Sequence, residues 1–215
     1  MTFPLPHGLP GLFVALEGGD GAGKSTQAAM LCRALEASGR RAVRTREPGG
    51  TPIGETLRSL VLEHGHGEID ARTEALLFAA SRAAHVQQVI LPALRRGDVV
   101  VCDRYIDSSV AYQGAGRGLG AQAVLDVNLW ATEGLRPDLT VLLDVEPAEG
   151  RSRRTAGPVP EDRLESEPDG FHADIRAAFL DLARQAPERY LVLGASGTPE
   201  ELHGAILEAL ARVPA

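Results

Sequence analysis

Short, strongly apolar runs alternate along the chain with longer segments of helical pattern. Leu12–Leu16 ends just before a glycine cluster, and Val99–Cys102 and Leu139–Leu143 each end at an aspartate. Such runs are typical of strands buried on both faces of a parallel sheet. Weaker strand patterns lie at Arg41–Arg46 and Tyr190–Leu193. Strands that alternate with helices predict an α/β fold, in which a parallel sheet is flanked by helices.

The helical segments carry recognisable start and stop signals. Gly39 follows the first segment, and glycine readily adopts the left-handed backbone that ends helices. Pro92 is expected to kink the last turns of the third segment. Thr198 is followed by a first-turn proline and acidic residues, a typical helix start. The predicted helices cover residues 25–37, 52–63 and 71–96, and a last helix opens at Thr198.

Length and composition favour a globular chain. Its 215 residues allow one large domain or two small ones, and 44% hydrophobic with 24% charged residues argue against wholesale disorder. We expect a single domain over residues 1–215, with a loosely ordered, proline-rich lead-in at residues 1–11. The stretch from Gly150 to Glu167 is the most polar and charge-dense of the chain. It fits either a mobile segment or an ordinary solvated loop.

The charge balance and the cysteines argue against several classes of protein. With 22 Lys+Arg against 29 Asp+Glu, the formal charge of −7 disfavours a chain-wide electrostatic contact with nucleic acid or anionic lipid. Cys32 and Cys102 form no C-x-x-C pair, so neither a disulfide framework nor a zinc site is indicated. No secretory signal and no membrane-spanning apolar run is recognisable. We therefore expect a cytoplasmic protein without a nucleic-acid or membrane partner.

A glycine-rich loop follows the first predicted strand. Residues 18–25 match the phosphate-binding pattern G-x-x-x-x-G-K-[ST], between a buried strand and a helix as that loop requires. Backbone N–H groups would surround the phosphates, Lys24 would supply charge, and the Ser25 hydroxyl would ligate Mg²⁺. Lys24 is the only lysine of the chain; the arginines elsewhere suit phosphate contacts or reflect a genome rich in arginine codons. The predicted nucleotide-binding residues are Gly18, Gly19, Asp20, Gly21, Ala22, Gly23, Lys24, Ser25 and Thr26.

The loop indicates a nucleoside triphosphate but leaves the reaction open among a phosphotransferase, a hydrolysing switch and a motor. The sequence has no N-K-x-D motif, which argues against a GTPase switch. Asp103 and Arg104 directly follow the third predicted strand, where ligands gather in open parallel sheets. Asp103 is a candidate ligand of Mg²⁺, directly or through water, and Arg104 a candidate phosphate ligand. A surface ion pair is the alternative for these two residues.

Six motifs, in the same order along the chain, resemble those of the thymidylate kinase family. The C-terminal part matches that family only in its general helical character. R-E-P-G-G-T and Y-Q-G-x-G-R-G are far more specific than the phosphate loop. The motifs are Glu17–Thr26, Arg46–Thr51, Phe78–Arg82 with His85, Asp103–Tyr105, Ala111–Gly118 and Asp162–Glu165.

The resemblance implies a P-loop nucleoside-monophosphate kinase fold with a mobile lid at residues 148–166. It also implies transfer of the γ-phosphoryl group of ATP to dTMP, a requirement for Mg²⁺, and a homodimer. Another nucleoside or nucleotide kinase of the same fold is the alternative. A non-catalytic P-loop ATPase switch is the alternative from a different class.

The resemblance further implies roles at the dTMP site. Phe78 would stack on thymine, although its helical spacing alone is more typical of a core residue. Arg82 would bond the thymine O4, and the Tyr112 ring would favour deoxyribose by crowding the 2′ position. Asp20 would lie at the 3′-hydroxyl side of the sugar. Arg58 and Arg104 would lie at the acceptor phosphate, and Ser109 and Gln113 at the base. The implied dTMP-binding residues are Asp20, Glu47, Pro48, Arg58, Phe78, Arg82, Arg104, Ser109, Tyr112 and Gln113.

A lid arginine completes the implied set. Gly21 stands where some thymidylate kinases place a catalytic arginine, and the subclass resembled here takes that charge from the lid. The lid spacing R-x-R-R departs from common forms and does not select one arginine. The implied catalytic residues are Lys24, Asp20 and Arg104 with the lid arginines Arg151, Arg153 and Arg154.

Overall fold

An all-parallel sheet forms the centre of the structure, a computed structural model that describes residues 7–156 and 161–213. Within these residues five strands lie in the order β2-β3-β1-β4-β5, which confirms the predicted α/β fold. The strand order reverses beside β1, and ligands of open α/β sheets bind at such a point. The strands are β1 Leu12–Glu17, β2 Ala42–Arg46, β3 Val99–Asp103, β4 Leu139–Asp144 and β5 Tyr190–Gly194.

Strand register brings the chemistry-bearing motifs to one edge. Leu16 is level with Asp103 of β3, and Glu17 is level with Leu142 of β4. Because these strands are parallel, the glycine-rich loop and the turn after β3 leave the sheet side by side. The sequence segments that follow β1 and β3 therefore meet, although about eighty residues separate them along the chain.

Helices cover both faces of the sheet. Leu16 belongs to the core on the side of the first and last helices, whereas Phe13 packs edge-on against Tyr105 in the core of the other face, with ring centroids 4.9 Å apart. The helices are α1 Lys24–Ala37, α2 Pro52–Leu62, α3 Ala71–His85, α4 Leu91–Arg95, α5 Ile106–Ser109, α6 Ala121–Ala131, α7 Pro147–Thr155, α8 Asp169–Gln185 and α9 Pro199–Leu210. π-Helical segments lie at Val86–Ile90 and Val110–Gly116, and a 3₁₀ turn lies at Pro187–Arg189.

The prediction of one helix over residues 71–96, kinked at its end by Pro92, is wrong in detail. The helix changes to π geometry at Val86–Ile90, ahead of the proline, and Leu91 donates its N–H to the carbonyl of Val86. Proline offers no N–H to the carbonyl four residues before it and crowds that carbonyl. The wider π turn accommodates this mismatch before α4 begins.

Residues 7–11 of the expected loose lead-in are held against the domain. The His7 imidazole hydrogen-bonds Asp138 at 2.8 Å, and the Gly11 N–H donates to the Leu94 carbonyl at 2.9 Å. Residues 1–6 of that lead-in lie outside the described residues. None of the helices in the described part of the chain is long and apolar enough to cross a membrane.

The polar segment from Gly150 to Glu167 was expected to be a loop or a mobile stretch, but its first residues belong to helix α7, which begins at Pro147. Pro147 occupies its first turn, and Glu149 pairs with Arg153 one turn later. Both features favour helix formation despite the low hydrophobicity. Residues 157–160 of the expected lid lie outside the described residues.

Candidate active site

The glycine-rich loop leads from β1 into α1, which begins at Lys24. The Lys24 ammonium donates to the carbonyls of Gly18 at 3.1 Å and Gly19 at 2.7 Å. Burial, and then the charge of Arg104, lower the pKa of Lys24 to about 8. A helix N-terminus and a lysine beside a loop of backbone N–H groups form a site for phosphate anions.

Gly21 and Gly150 bring this loop into contact with α7. Gly21 has a φ of +77°, and a Cβ added there would lie 2.1 Å from the Gly150 carbonyl oxygen. A Cβ on Gly150 would lie 2.3 Å from the carbonyl oxygen of Asp20. Such distances are too short for any side chain. The close approach of α7 therefore explains why no arginine stands at position 21.

Oxygen ligands meet beside the loop. The Ser25 hydroxyl donates to the Asp103 carboxylate at 2.5 Å, and both side chains line the same cavity as the glycine-rich loop. Hydroxyl and carboxylate oxygens are ligands that Mg²⁺ accepts in phosphate sites. The residues present therefore fit a magnesium ion next to bound phosphates.

Asp20, Arg104 and Tyr112 form a hydrogen-bonded cluster between the glycine-rich loop and the helix after β3. Arg104 pairs with Asp20, and the Tyr112 hydroxyl donates to Asp20 at 2.7 Å and accepts from Arg104 at 3.1 Å. Burial alone would raise the pKa of Asp20, but Arg104, Lys24 and the Tyr112 hydroxyl together hold it well below its usual value. Asp20 is therefore ionised throughout the physiological range.

Arg104 reaches this cluster because its backbone is left-handed, with φ at +67°. Its guanidinium also donates to the Gly18 carbonyl at 3.0 Å and to the Ser108 hydroxyl at 3.1 Å. A positive φ is uncommon in residues other than glycine, and such strain is concentrated at functional sites. The turn directs a cation into the space between the loop and the helix.

A second cleft opens on the other side of this cluster. All ten residues that the resemblance assigns to dTMP line it, together with Leu62, Ser108, Asp162, Leu164 and Glu165. Glu47 and Pro48 are joined by a cis peptide bond, and the Pro48 carbonyl accepts from Arg58 at 3.0 Å. Phe78 belongs both to this wall and to the adjoining core. Sequence positions spread from 20 to 113 are thus brought to one cavity.

Arg82 is buried at the deep end of this cleft, with 2% of its surface exposed. It pairs with Glu47, donates to the Ser109 hydroxyl and the Tyr105 carbonyl, each at 3.1 Å, and bonds Asn128. A charge this deeply buried needs such partners. They fix the plane of the guanidinium at the wall of the cleft.

Sequence reasoning missed three residues behind this wall. Asn128 accepts from Arg82, and its only sequence signal is a polar side chain at a buried helical position. His85, expected only to pack, hydrogen-bonds Glu47 at 2.9 Å and Thr45 at 2.6 Å. Glu74 accepts from Gln113 at 2.9 Å and pairs with Arg117 and Arg163. Sequence motifs do not predict such supporting hydrogen bonds and ion pairs.

The lid arginines occupy two different places. Arg153 and Arg154 line the cavity that holds Lys24 and Ser25, whereas Arg151 lines a smaller pocket whose wall also includes Arg154, Arg176 and the loop residue Asp20. Arg154 pairs with Glu161 and lies 3.7 Å from Glu165, and Arg153 donates to the Ala195 carbonyl at 2.8 Å. Arg151 pairs with Glu161 and Asp169. Within the lid, Arg153 and Arg154 therefore face the phosphate-binding loop.

A phosphate-binding loop at the switch point of a parallel sheet, joined to a second cleft that is lined by three arginines of which Arg82 is buried, defines a P-loop kinase of the nucleoside-monophosphate class. A family model described as thymidylate kinase matches residues 16–206. A thymidylate kinase of Leifsonia xyli is 57% identical over 198 residues, 92% of this chain and 93% of its own. The chain therefore belongs to the thymidylate kinase family.

Two further bacterial relatives show similar identity and coverage. A thymidylate kinase of Clavibacter sepedonicus is 54% identical over 205 residues, which cover 95% of this chain and 96% of the relative. A thymidylate kinase of Deinococcus radiodurans is 50% identical over 200 residues, with 93% and 96% covered. The similarity extends through the C-terminal helices, where motifs alone were uninformative.

Proposed function

We propose that this protein transfers the γ-phosphoryl group of ATP to dTMP and so forms dTDP and ADP. The observation that carries the proposal is the junction between the two cavities. Asp20, Glu47, Arg58, Arg104 and Glu165 line both the cavity of the phosphate loop and the cleft that ends at Arg82. A donor phosphate in one and an acceptor phosphate in the other would meet at these charged side chains. In-line transfer requires such a meeting.

Phosphoryl transfer depends mainly on alignment and on neutralising charge over the transferring oxygens. Lys24 and the backbone N–H groups of the glycine-rich loop would hold the donor phosphates. Arg58 and Arg104 would hold the acceptor phosphate, and the ionised Asp20 would keep Arg104 in place. Phe78 would stack on the thymine and Arg82 would donate to its O4. Tyr112, Ser109, Gln113, Glu47 and Pro48 complete the proposed dTMP site.

We further propose that Ser25 and Asp103 hold Mg²⁺, Asp103 either directly or through water. Their oxygens lie together beside the phosphate loop, and hydroxyl and carboxylate oxygens are of the type that binds Mg²⁺ next to phosphates. A bound magnesium ion neutralises phosphate charge and orients the donor oxygens.

The described part of the lid, α7 and the turn that follows it, is proposed to close over the phosphates within one domain. The contact between Gly21 and Gly150 already brings α7 to the loop. Arg153 and Arg154 then become the arginines that stabilise transferring charge, with Arg154 favoured because it is the more buried of the two. Closure would also exclude water, which prevents hydrolysis of ATP.

A panel of acceptors tests the substrate. ADP release would be coupled to a spectrophotometric assay with ATP and dTMP, dUMP, dGMP or thymidine as acceptor. We expect dTMP to give the highest kcat/KM. If another acceptor is used better, the protein is a different kinase of the same fold. ATP turnover that ignores every acceptor would identify the P-loop ATPase switch instead, and Lys24→Ala serves as the inactive control.

The face of α3 and α6 supports a homodimer. Leu76 of α3 is 59% exposed and lines an apolar groove between the two helices, and Trp130 of α6 is 85% exposed. A second copy would remove these side chains from water, which stabilises association. We expect a dimer by light scattering and a monomer for Trp130→Glu; a monomeric wild type at assay concentration contradicts the proposal.

We also infer a cytoplasmic location. The two cysteines are free and buried, as suits a reducing compartment. Fractionation of the source cells with an antibody against this chain tests the inference, and recovery in a membrane or extracellular fraction would contradict it.

A further inference from the structure

Glu17, the last residue of β1, is a fully buried carboxylate, with none of its surface exposed. Its Oε1 accepts the backbone N–H of Tyr105 at 2.8 Å and that of Ser108 at 3.2 Å. Its Oε2 accepts the Ser108 hydroxyl at 2.5 Å. In the described chain its hydrogen-bond partners are thus two amides and a hydroxyl of the segment that follows Arg104, rather than a basic side chain.

Such a group is costly to bury, because desolvation of a carboxylate without a paired cation is strongly unfavourable. Burial, and then the nearby Asp107, raise the pKa of Glu17 to about 7. Buried carboxylates with a strongly shifted pKa are concentrated at functional sites, where the charge contributes to binding or catalysis. The ionisable groups that face Glu17 from the packed elements are Lys24, Cys102, Arg104, Asp107 and Tyr190.

We propose that Glu17 is a positioning residue for dTMP binding, acting through Ser108 and Arg104. The inference rests on the proposed function. Ser108 donates its only hydroxyl proton to Glu17, so its oxygen accepts the Arg104 N–H at 3.1 Å. Glu17 also fixes the backbone amide of Tyr105, directly after the left-handed Arg104, and that of Ser108, four residues after Arg104. The carboxylate thereby sets both the backbone and one hydrogen bond of the arginine that faces the acceptor phosphate.

An amide cannot replace this carboxylate. In Glu17→Gln, one orientation of the amide turns its NH₂ toward the Ser108 hydroxyl, which then loses the acceptor of its proton. The other orientation turns the NH₂ toward the two backbone N–H donors. In either orientation at least one buried donor is left without its acceptor, so the shape is preserved while the hydrogen-bond pattern is not.

The test compares Glu17→Gln with Asp138→Asn. Asp138 is also a buried carboxylate, and it accepts the backbone N–H of Phe13 at 2.7 Å at the opposite end of β1. We expect Glu17→Gln to raise KM for dTMP about tenfold, with KM for ATP within about threefold of wild type. Asp138→Asn should lower the melting temperature while both KM values stay near those of wild type.

The pH dependence of kcat/KM for dTMP distinguishes a positioning role of Glu17 from a purely structural one, which would leave this dependence unchanged. Glu17 can accept from both backbone N–H groups and from the Ser108 hydroxyl together only when it is ionised, so kcat/KM for dTMP should fall as pH drops below about 7. The phosphate of dTMP itself titrates near pH 6. The diagnostic result is therefore the difference between profiles: Glu17→Gln should lose the limb near pH 7 and keep the substrate's limb.

Ser108→Ala tests the same contact from its other end and covers the case in which Glu17→Gln does not fold. It should also raise KM for dTMP, and the double variant should be no worse than the poorer single variant, as expected for residues that act through one another. Unchanged KM and pH profile in Glu17→Gln, or unchanged KM in Ser108→Ala, would overturn the inference alone. A wild type that does not phosphorylate dTMP would overturn the proposed function and this inference together.

Discussion

The guanidinium of Arg104 and the carboxylate of Asp20 form an ion pair across the junction of the two cavities, although the residues are 84 positions apart in sequence. Arg104 contributes a left-handed turn at the end of β3, and Asp20 comes from the glycine-rich loop after β1. Because β1 and β3 are adjacent parallel strands, the loop after β1 and the turn after β3 lie side by side, and the ion pair connects them. The pair thus couples the donor loop to the acceptor cleft.

Arg104→Lys is expected to damage the reaction with dTMP. Lysine meets the same backbone strain at positive φ, so the change isolates the side chain. A single ammonium cannot serve Gly18, Ser108, Asp20 and Tyr112 together. We expect kcat/KM for dTMP to fall about a hundredfold, equivalent to about 2.7 kcal/mol. Arg184→Lys, at an exposed position of α8, is the control, and equal kinetics in the two variants would contradict the role.

The lid arginines are predicted to differ in effect. Arg154→Gln removes a cation from the cavity of the phosphate loop, and kcat should fall by about 10² or more with KM for dTMP nearly constant. Arg153→Gln should have a smaller effect of the same kind. Arg151→Gln should have the smallest effect of the three, because Arg151 lines the neighbouring pocket rather than the cavity of Lys24 and its guanidinium pairs with Glu161 and Asp169. Steady-state kinetics of the three variants decide, and a larger loss of kcat in Arg151→Gln than in Arg154→Gln would reverse the assignment.

The fold was accessible from sequence wherever local patterns are strong. The buried strand runs and the glycine-rich loop determine the sheet edge at which the site forms, and the strands appear where they were predicted. The π turn before Pro92 was not predicted, because a proline in the sequence indicates that the helix is disturbed but does not specify whether the backbone kinks or widens into a π turn. Helix α7 was not predicted since its apolar content is low and its stability comes from charge pairs and contacts.

The residues of the candidate site also fall into a group that the sequence predicts and a group that it does not. Residues that carry motif letters, such as Lys24 and Arg82, were found from sequence, and the structure gathers them into two joined cavities. Asn128 and Glu17 support those residues from buried positions. A supporting contact of this kind exists only after the chain has folded. The preference for Arg153 and Arg154 over Arg151 likewise came from the orientation of α7.

Asn128→Ala tests the support behind Arg82, the arginine proposed to bind the thymine. The change removes an acceptor from the buried Arg82, so the free energy of unfolding should fall by about 1–3 kcal/mol. KM for dTMP should rise because the guanidinium loses one of its fixed contacts. Gln122→Ala, an exposed amide on the same helix, is the matched control. Urea denaturation and initial rates measure both effects, and a stable Asn128→Ala with normal KM would show that Arg82 is held by its other partners.

The single lysine permits a direct measurement of the charge at the phosphate loop. Burial and the neighbouring Arg104 lower the pKa of Lys24 to about 8, so the ammonium is charged below that pH and neutral above it. Protein labelled with ¹³C at lysine Cε gives one side-chain signal, because Lys24 is the only lysine. Its chemical shift should titrate with a midpoint near pH 8 in the ligand-free protein.

Addition of a non-hydrolysable ATP analogue should move this midpoint upward, since phosphate charge favours the protonated ammonium. The same titration predicts that KM for ATP rises as pH increases above about 8, the pH at which the loop loses its cation. A midpoint near 10.4, the value of an unperturbed lysine, would contradict the buried environment. A midpoint near 8 that the analogue does not shift would instead show that Lys24 does not contact the phosphates.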